Sequence, residues 1–440
     1  MTKKRPNYII VYCDDLGYGD LSCYGSSQMK TPHLDRLAEE GVRFTNWYSN
    51  SPVCSPSRAA LLTGKYPARA GVSHILGGRR GTAGLKTSLP SLPKTLKAAG
   101  YRTALFGKWH LGASAEHGPN AHGFDEFFGF RAGCIDYYSH IFYWEQAGGV
   151  NPVHDLWHNE QEVWENGEYM TEMITGKAVE YIEACPVEEP FFLMAGYNAP
   201  HYPMHAPKRY VDRFPDLPPD RRIMAAMIAA VDDGVGDIVA ALKRKGVYED
   251  TVIFFSSDNG PSTESRNWLD GTEDLYYGGS AGVFRGHKAS LFDGGVREPA
   301  ILSYPALIEG GETNGEVCAM MDIFPTFLEL AGVSGEGCGI DGTSLVPMLE
   351  GSGSAPAGGE RMLFWEYGEQ LAVREGKWKL VLNGKLDFSR TAADAVHLSD
   401  VEADPGERVN LAERHPNIVR RLELAVRQWY DNLREEAVRP

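Results

Sequence analysis

One thiol in the chain stands in surroundings suited to an anion. Cys54 lies between Pro52 and Pro56, with Ser55 and Ser57 beside it and Arg58 four residues on. From Ala59 to Leu62 the residues are good helix formers, and Gly64 with Pro67 ends the run. Ser55 or Ser57 can cap this helix, and Pro56 fits its first turn. Cys54 is therefore expected just before a helix N-terminus, where unpaired backbone N–H groups and the dipole favour negative charge. Arg58 adds a fixed cation to the same place. This chemistry suits an anionic group or intermediate; the plainer reading is a thiol that merely precedes a helix.

Four further strings fall where strands should end. Asn7–Cys13 is a continuous apolar run, as expected of a strand buried on both faces, and it stops at Asp14 and Asp15. Adjacent buried carboxylates are costly without a cation or partners, and open α/β sheets bind ligands beyond the carboxyl ends of their strands. A polar turn with Asp15 as a cap is the alternative. Thr251–Ser257 reads as the clearest central strand and is followed by Asp258, Asn259 and Gly260, which could equally close it as an Asx turn. Thr103–Phe106 leads into Gly107, Lys108, Trp109 and His110, where Lys108 and His110 can face one pocket or serve as a surface lysine and a structural histidine. Pro190–Tyr197 leads into Asn198, Ala199, Pro200 and His201, and a lone histidine there is more often structural.

The string Cys54-Ser55-Pro56-Ser57-Arg58, with Leu61-Leu62-Thr63-Gly64-Lys65 after it, resembles the signature of the type I, formylglycine-dependent sulfatases of the arylsulfatase A/B and N-acetylgalactosamine sulfatase kind, within the alkaline phosphatase superfamily. The resemblance implies that Cys54 is oxidised to formylglycine by a formylglycine-generating enzyme and works as the aldehyde hydrate. It further implies that Asp14, Asp15, Asp258 and Asn259 hold a divalent cation. An all-oxygen set suits Ca²⁺ or Mg²⁺ and suits Zn²⁺ poorly, and Ca²⁺ is expected. By the same resemblance Arg58, Lys108 and Lys288 stabilise the sulfuryl charge, His201 protonates the leaving alcohol and His110 acts beside the formylglycine. Lys288 lies in Phe284–Pro299, which resembles a family block with Asp293 where Glu is more usual. The aromatic stretch 118–169, including Trp144, Trp157 and Trp164, reads as a loop wall around a sugar or as a loop packed on itself. Within it Asp136-Tyr137-Tyr138-Ser139-His140 resembles enzymes acting on sulfated N-acetylgalactosamine, which makes Asp136, Tyr137 and His140 substrate-binding candidates.

The elements that must position these residues follow from periodicity. Helices are expected over Thr31–Gly41, Ser91–Ala99, Met170–Ala184, Arg221–Lys245 and Met321–Leu330. With the strands above and another over Pro299–Tyr304, they make an α/β fold: a large mixed, mostly parallel sheet sandwiched by helices, alkaline phosphatase-like by resemblance. This catalytic domain should span 1–350. Ser352–Gly359 reads as a linker, and 360–440 as a smaller C-terminal subdomain: short strands at Met362–Tyr367, Leu371–Arg374, Trp378–Leu382 and Ala395–Leu398, then a covering helix at Asn417–Leu433.

Composition narrows the function classes. The chain has 440 residues, 43% of them hydrophobic, which is enough for a full core, and a formal charge of −16. That charge argues against nucleic-acid or anionic-membrane surfaces while leaving room for a local cationic pocket. Seven scattered cysteines without Cys-x-x-Cys spacing fit a reduced compartment. Met1–Arg5 starts like a signal peptide, but Tyr8–Cys13 is too short an apolar region, so the chain as given is expected in the cytoplasm or to have lost a leader. The expected activity is hydrolysis of sulfate monoesters, of a sulfated sugar attacked from its end and of aryl sulfates. The rivals are a phosphomonoesterase, phosphodiesterase or phosphonate hydrolase on the same scaffold, and a non-catalytic sulfated-glycan binder with Cys54 unmodified. Oligomeric state is not legible.

Overall fold

The computed structural model describes residues 5–143, 152–264, 278–351, 361–388 and 391–438. Trp144 and the linker expected at 352–359 lie outside these residues. Asn7–Cys13 sits at the centre of a ten-stranded sheet. It pairs in parallel with Phe191–Gly196 on one side and with Thr251–Ser257 on the other. Arg102–Lys108 and then Glu126–Phe130 continue the parallel run. Ala300–Ser303 is antiparallel to both of its neighbours, Thr251–Ser257 and Val42–Phe44. The sheet is thus mixed and mostly parallel, as expected.

Two-sided burial explains the apolar runs. Along the central strand Ile9, Val11 and Cys13 enter one core while Tyr8, Ile10 and Tyr12 enter the other, because successive side chains of a strand face opposite ways. Met170–Ala184 and Pro219–Lys245 cover the first face. Cys54–Thr63, Leu92–Ala98 and Ile323–Leu330 cover the second. No helix among the described residues is long and apolar enough to cross a membrane.

The start of the Pro32–Glu39 helix is held from a distance. Thr31 does not cap the Pro32–Glu39 helix. Asp232, from the middle of the Pro219–Lys245 helix, accepts the His33 and Leu34 N–H groups at 3.2 and 2.8 Å instead. A cap nearly two hundred residues away in the chain leaves no local signature. The region 118–169 is also more regular than expected, with Glu126–Phe130 and four two-residue strands inside it.

The C-terminal part is a four-stranded antiparallel meander of Met362–Tyr367, Gln370–Glu375, Trp378–Gly384 and Asp394–Asp400. The Pro416–Val438 helix covers one face through Leu422 and Val426. The other face packs Leu363, Trp365, Ala372 and Val381 against Tyr48, Leu291, Phe292 and Met321 of the large domain. A buried charge cluster crosses this apolar seam. Asp293 accepts from Lys379 Nζ at 2.5 Å, from Tyr48 OH at 3.0 Å and from Arg297 at 3.1 Å, and its own N–H donates to Glu407 at 2.6 Å. Burial pushes the Asp293 carboxyl up, but Lys379, Arg297 and Arg374 outweigh it and hold it below the usual range.

Removing one partner of a buried charge pair strands the other charge, at about 3–5 kcal/mol. Lys379→Met should therefore destabilise the fold by that order, read as a lower urea midpoint by circular dichroism. Arg427→Met, which breaks an exposed pair with Glu423 on the terminal helix, should leave the midpoint nearly unchanged.

Candidate active site

The first loop after the central strand is held by its own last residue. The Gly17 and Ser280 N–H groups donate to buried Asp20, at 3.3 and 2.8 Å, and Arg221 pairs with the same carboxylate at 2.5 Å. Gly17 lies against the Ser280 carbonyl so closely that a Cβ would come within 2.2 Å of its oxygen. This packing fixes Asp14 and Asp15 at the strand end. Asp15 adopts a left-handed backbone at φ 61°. Its N–H donates to Asp258 at 3.2 Å, and Asn259 Nδ2 donates to its carboxylate at 2.7 Å, which joins the two strand ends.

Cys54 is the first residue of the Cys54–Thr63 helix, one position further in than expected. Neither serine caps it. The Ser55 hydroxyl accepts from Leu76 N–H at 3.0 Å, and Ser57 donates to Ser51 O at 2.8 Å. Cys54 Sγ lies 3.3 Å from Asp14 Oδ1. Burial, then Asp14, pushes the thiol well above its ordinary value against the pull of Lys108 and Lys288. A thiol in that state is protonated and a poor nucleophile.

Three buried cations surround these carboxylates. Lys108 Nζ is 2.5 Å from Asp14 and Lys288 Nζ is 3.0 Å from Asp15. Burial works against both ammonium groups, but Asp14 with Cys54 at Lys108, and Asp15 with Cys54, Glu264 and Asp14 at Lys288, together more than offset it. Arg58 gives its guanidinium to Asp258 at 3.1 Å and to the Lys108 carbonyl at 3.1 Å, and stacks over Tyr12. Arg58 thus braces Asp258 and the Lys108 backbone through Nε and Nη1, while its buried Nη2 makes no hydrogen bond among the described residues.

The two histidines are arranged differently. His110, at φ 57°, directs Nε2 to the Leu76 carbonyl at 3.0 Å, which makes Nε2 the donor and leaves Nδ1 as a buried acceptor with no partner among the described residues. Its ring fits because residue 133 is glycine; a Cβ there would lie 2.6 Å from it. Burial, reinforced by Lys108, holds this imidazole well below its ordinary pKa and therefore neutral. His201 Nδ1 faces the Tyr202 carbonyl at 2.5 Å, while Nε2 lies 3.2 Å from Lys288 Nζ and 3.6 Å from Asp15.

The donor set fits a hard divalent cation. One ligand atom each of Asp14, Asp15, Cys54 and His201 lies within 4.8 Å of the others. Asp258 is pushed up by burial and by Asp14, the signature of like charges sharing a dry site. Asn259 Oδ1 is buried without a hydrogen-bond partner. Three carboxylates and an amide oxygen are the hard donors that Ca²⁺ or Mg²⁺ takes.

Asp136, Tyr137 and His140, the substrate-binding candidates, are buried and hydrogen-bonded within the chain. Tyr137 and His140 are fully buried. Tyr137 OH donates to the Asn198 and His201 carbonyls, each at 2.8 Å, and so shapes the His201 loop from behind. His140 is spent on the Glu168 carbonyl at 3.1 Å. Asp136 accepts from Tyr138 and Ser139 N–H and faces His205 at 3.2 Å. The aromatic segment largely packs on itself: Trp157 lies under Arg131, whereas Trp164 stacks on His154 and stays 62% exposed. Sequence reading also missed Glu264, whose carboxylate lies 3.1 Å from Lys288 and 4.0 Å from His201 with 29% of the side chain open to solvent. Nothing in its local sequence marks it.

The chain is similar to known proteins along most of its length. A sequence model described as Sulfatase matches residues 6–333, and one described as N-sulphoglucosamine sulphohydrolase, C-terminal, matches residues 279–431. Arylsulfatase J of Mus musculus is 32% identical over 95% of this chain and 74% of its own length. N-acetylgalactosamine-6-sulfatase of Mus musculus is 35% identical over 85% of this chain and 71% of its own. The solved structure of Ps i-CgsB in complex with k-i-k-neocarrahexaose superposes with a TM-score of 0.85 at 30% identity, covering 97% of this chain and 93% of that one. Sharing both its sequence and its fold with such proteins along most of its length, this chain belongs to the sulfatase family and is a hydrolase of sulfuric esters.

Proposed function

We propose that the chain releases sulfate from sulfated sugars and from aryl sulfates, with Cys54 converted to formylglycine by a maturation enzyme and with Ca²⁺ held by Asp14, Asp15, Asp258 and Asn259. The observation that carries this reading is the state of residue 54. It sits 3.3 Å from Asp14 in a buried ring of carboxylates and cations, where burial and Asp14 push a thiol toward its protonated, poorly nucleophilic form. A sugar substrate is supported by relatives named for N-acetylgalactosamine 6-sulfate and by a structural neighbour that holds neocarrahexaose.

Formylglycine supplies a hydrated aldehyde, with one hydroxyl to meet the sulfur and a second through which sulfate is later released. Ca²⁺ on Asp14, Asp15, Asp258 and Asn259 would supply Lewis acidity beside residue 54. The protein's own groups do the rest. Lys108 and Lys288 donate to the sulfuryl oxygens as charge develops, and loss of one such donor typically costs about 3–4 kcal/mol. His201 gives the proton from Nε2 to the leaving oxygen, with Lys288 at 3.2 Å to resupply it. His110, neutral and with Nδ1 unengaged, takes the proton from the second hydroxyl.

Mass spectrometry of the Cys54 peptide from active protein should give the mass of the aldehyde, and the activity of different preparations should scale with the converted fraction. An unmodified thiol in fully active protein overturns the reading. Turnover of aryl phosphate exceeding that of aryl sulfate would favour the phosphoesterase alternative.

His201→Ala should separate substrates by leaving group. General acid help is worth about 10²–10⁴-fold where the departing oxygen is basic, so kcat on a sugar sulfate should fall by that order. On an aryl sulfate with an acidic phenol the fall should be several-fold at most. Equal losses on both would remove His201 from the acid's role.

Ca²⁺ at about 100 times its Kd should stabilise the folded chain by about 2.7 kcal/mol, seen as a rise in melting temperature after exhaustive chelation and readdition. Asp15→Asn should reduce that rise sharply.

A further inference from the structure

We propose that the C-terminal sheet sets the position of Lys288, with Gln370 as the positioning residue; this rests on the sulfatase reading of Lys288. The segment carrying Lys288 is irregular. Its neighbour Ala289 sits at φ 71°, a conformation that strains a residue with a Cβ and persists only where the surroundings over-determine it. The large domain holds only part of this turn. Lys288 N–H donates to the Pro261 carbonyl and Ala289 N–H to the Pro52 carbonyl, both at 2.9 Å.

The opposite side of the turn is held by the second strand of the C-terminal meander. Gln370 is buried at the start of that strand. Its Nε2 donates to the Ala289 carbonyl at 2.8 Å, and its Oε1 accepts from Leu291 N–H at 3.3 Å. The same oxygen accepts from Lys385 N–H at 2.9 Å, which ties the grip to the end of the next strand. Ser290 Oγ donates to the Lys385 carbonyl at 2.6 Å, and His287 N–H donates to the Leu386 carbonyl at 2.9 Å. One amide side chain thus spans the left-handed residue, meeting its carbonyl and the N–H two positions on. Without it a buried carbonyl and a buried N–H lose their partners, and the turn can relax. Lys288 Nζ, placed 3.0 Å from Asp15 and 3.2 Å from His201, would then lose its register with the site. A misplacement of about 1 Å in such a group can cost about 100-fold in rate.

A double-mutant cycle tests this. Gln370→Met, Lys288→Ala and the double variant are assayed on an aryl sulfate. Gln370→Met alone should lower kcat by about 10–100-fold with KM changed less than about threefold. In the Lys288→Ala background the same change should cost less than about threefold, because there is no longer a lysine to misplace. Hydrogen exchange over residues 285–293 should accelerate in Gln370→Met, while exchange over the Cys54–Thr63 helix stays as in wild type. Gln370→Glu, which keeps the acceptor and loses the donor to Ala289, carries the same cycle if Gln370→Met fails to fold. A penalty that multiplies in full on Lys288→Ala, or exchange over 285–293 that does not change, overturns the proposal. If wild-type protein turns over no aryl sulfate, the aryl-sulfate part of the proposed function falls, and the exchange result alone decides for or against the clamp.

Discussion

Everything in the molecule answers to one electrostatic problem: three carboxylates held at neighbouring strand ends, in a place without bulk water. Asp14, Asp15 and Asp258 are buried, and like charges so close in a dry site cannot all stay ionised without compensation. Lys108, Lys288 and Arg58 supply it, each within 3.1 Å of a different carboxylate. The protein's own charges therefore nearly balance. On the proposed reading, the charge of a divalent cation placed on these oxygens is not neutralised by the protein, and it is what an anionic sulfate ester would meet. Strong local attraction for an anion thus coexists with a chain whose formal charge is −16.

Holding those charges in place requires backbone conformations that an unconstrained chain avoids. Asp15, His110 and Ala289 all lie in the left-handed region, and each is a site residue or adjoins one. Each is enforced by close packing from another part of the chain. Asp15 is tied down by Asp258 and Asn259, and the ring of His110 occupies space that Gly133 leaves open. The rigid source of these constraints is the central sheet, whose strands are buried on both faces and so cannot shift without disturbing two cores at once.

This division explains which features were legible in the sequence. Asn7–Cys13 and Thr251–Ser257 read correctly because burial on both faces leaves a continuous apolar run, and the polar residues that end each run are the ones the pocket gathers. Lys108 and His201 likewise follow apolar runs, whereas Cys54 is marked by the helix-forming run after it and Lys288 was legible only through the resemblance of Phe284–Pro299 to a family block. Asp232 as a helix cap, Glu264 beside Lys288 and Gln370 beneath Ala289 were not visible, because their partners lie far away in the chain. The roles of Tyr137 and His140 were not legible for a related reason. Aromatic and imidazole side chains serve a sugar or a packed loop equally well, and only the carbonyls they meet decide which. Arg58 shows the limit from the other side, since its place was legible but its engagement with Asp258 was not.

The C-terminal sheet, which in sequence looks like a cover, then acquires a physical reason. A parallel sheet delivers functional groups at its strand ends, and Asp14, Lys108 and Asp258 arrive that way. Lys288 does not. It lies on an irregular segment between Thr251–Ser257 and Ala300–Ser303, with no regular element of its own to hold it. Such a segment needs hydrogen-bonding partners on the side that faces away from the large sheet, or its backbone groups are left unpaired in the interior. The meander provides them through Gln370, Lys385 and Leu386, and Lys379 anchors Asp293 five residues beyond Lys288. The apolar contact between the two parts supplies adhesion without direction, because burial of apolar area is non-directional. The polar groups crossing it fix the register, so the placement of one cation in the pocket depends on a sheet that contributes none of the carboxylates.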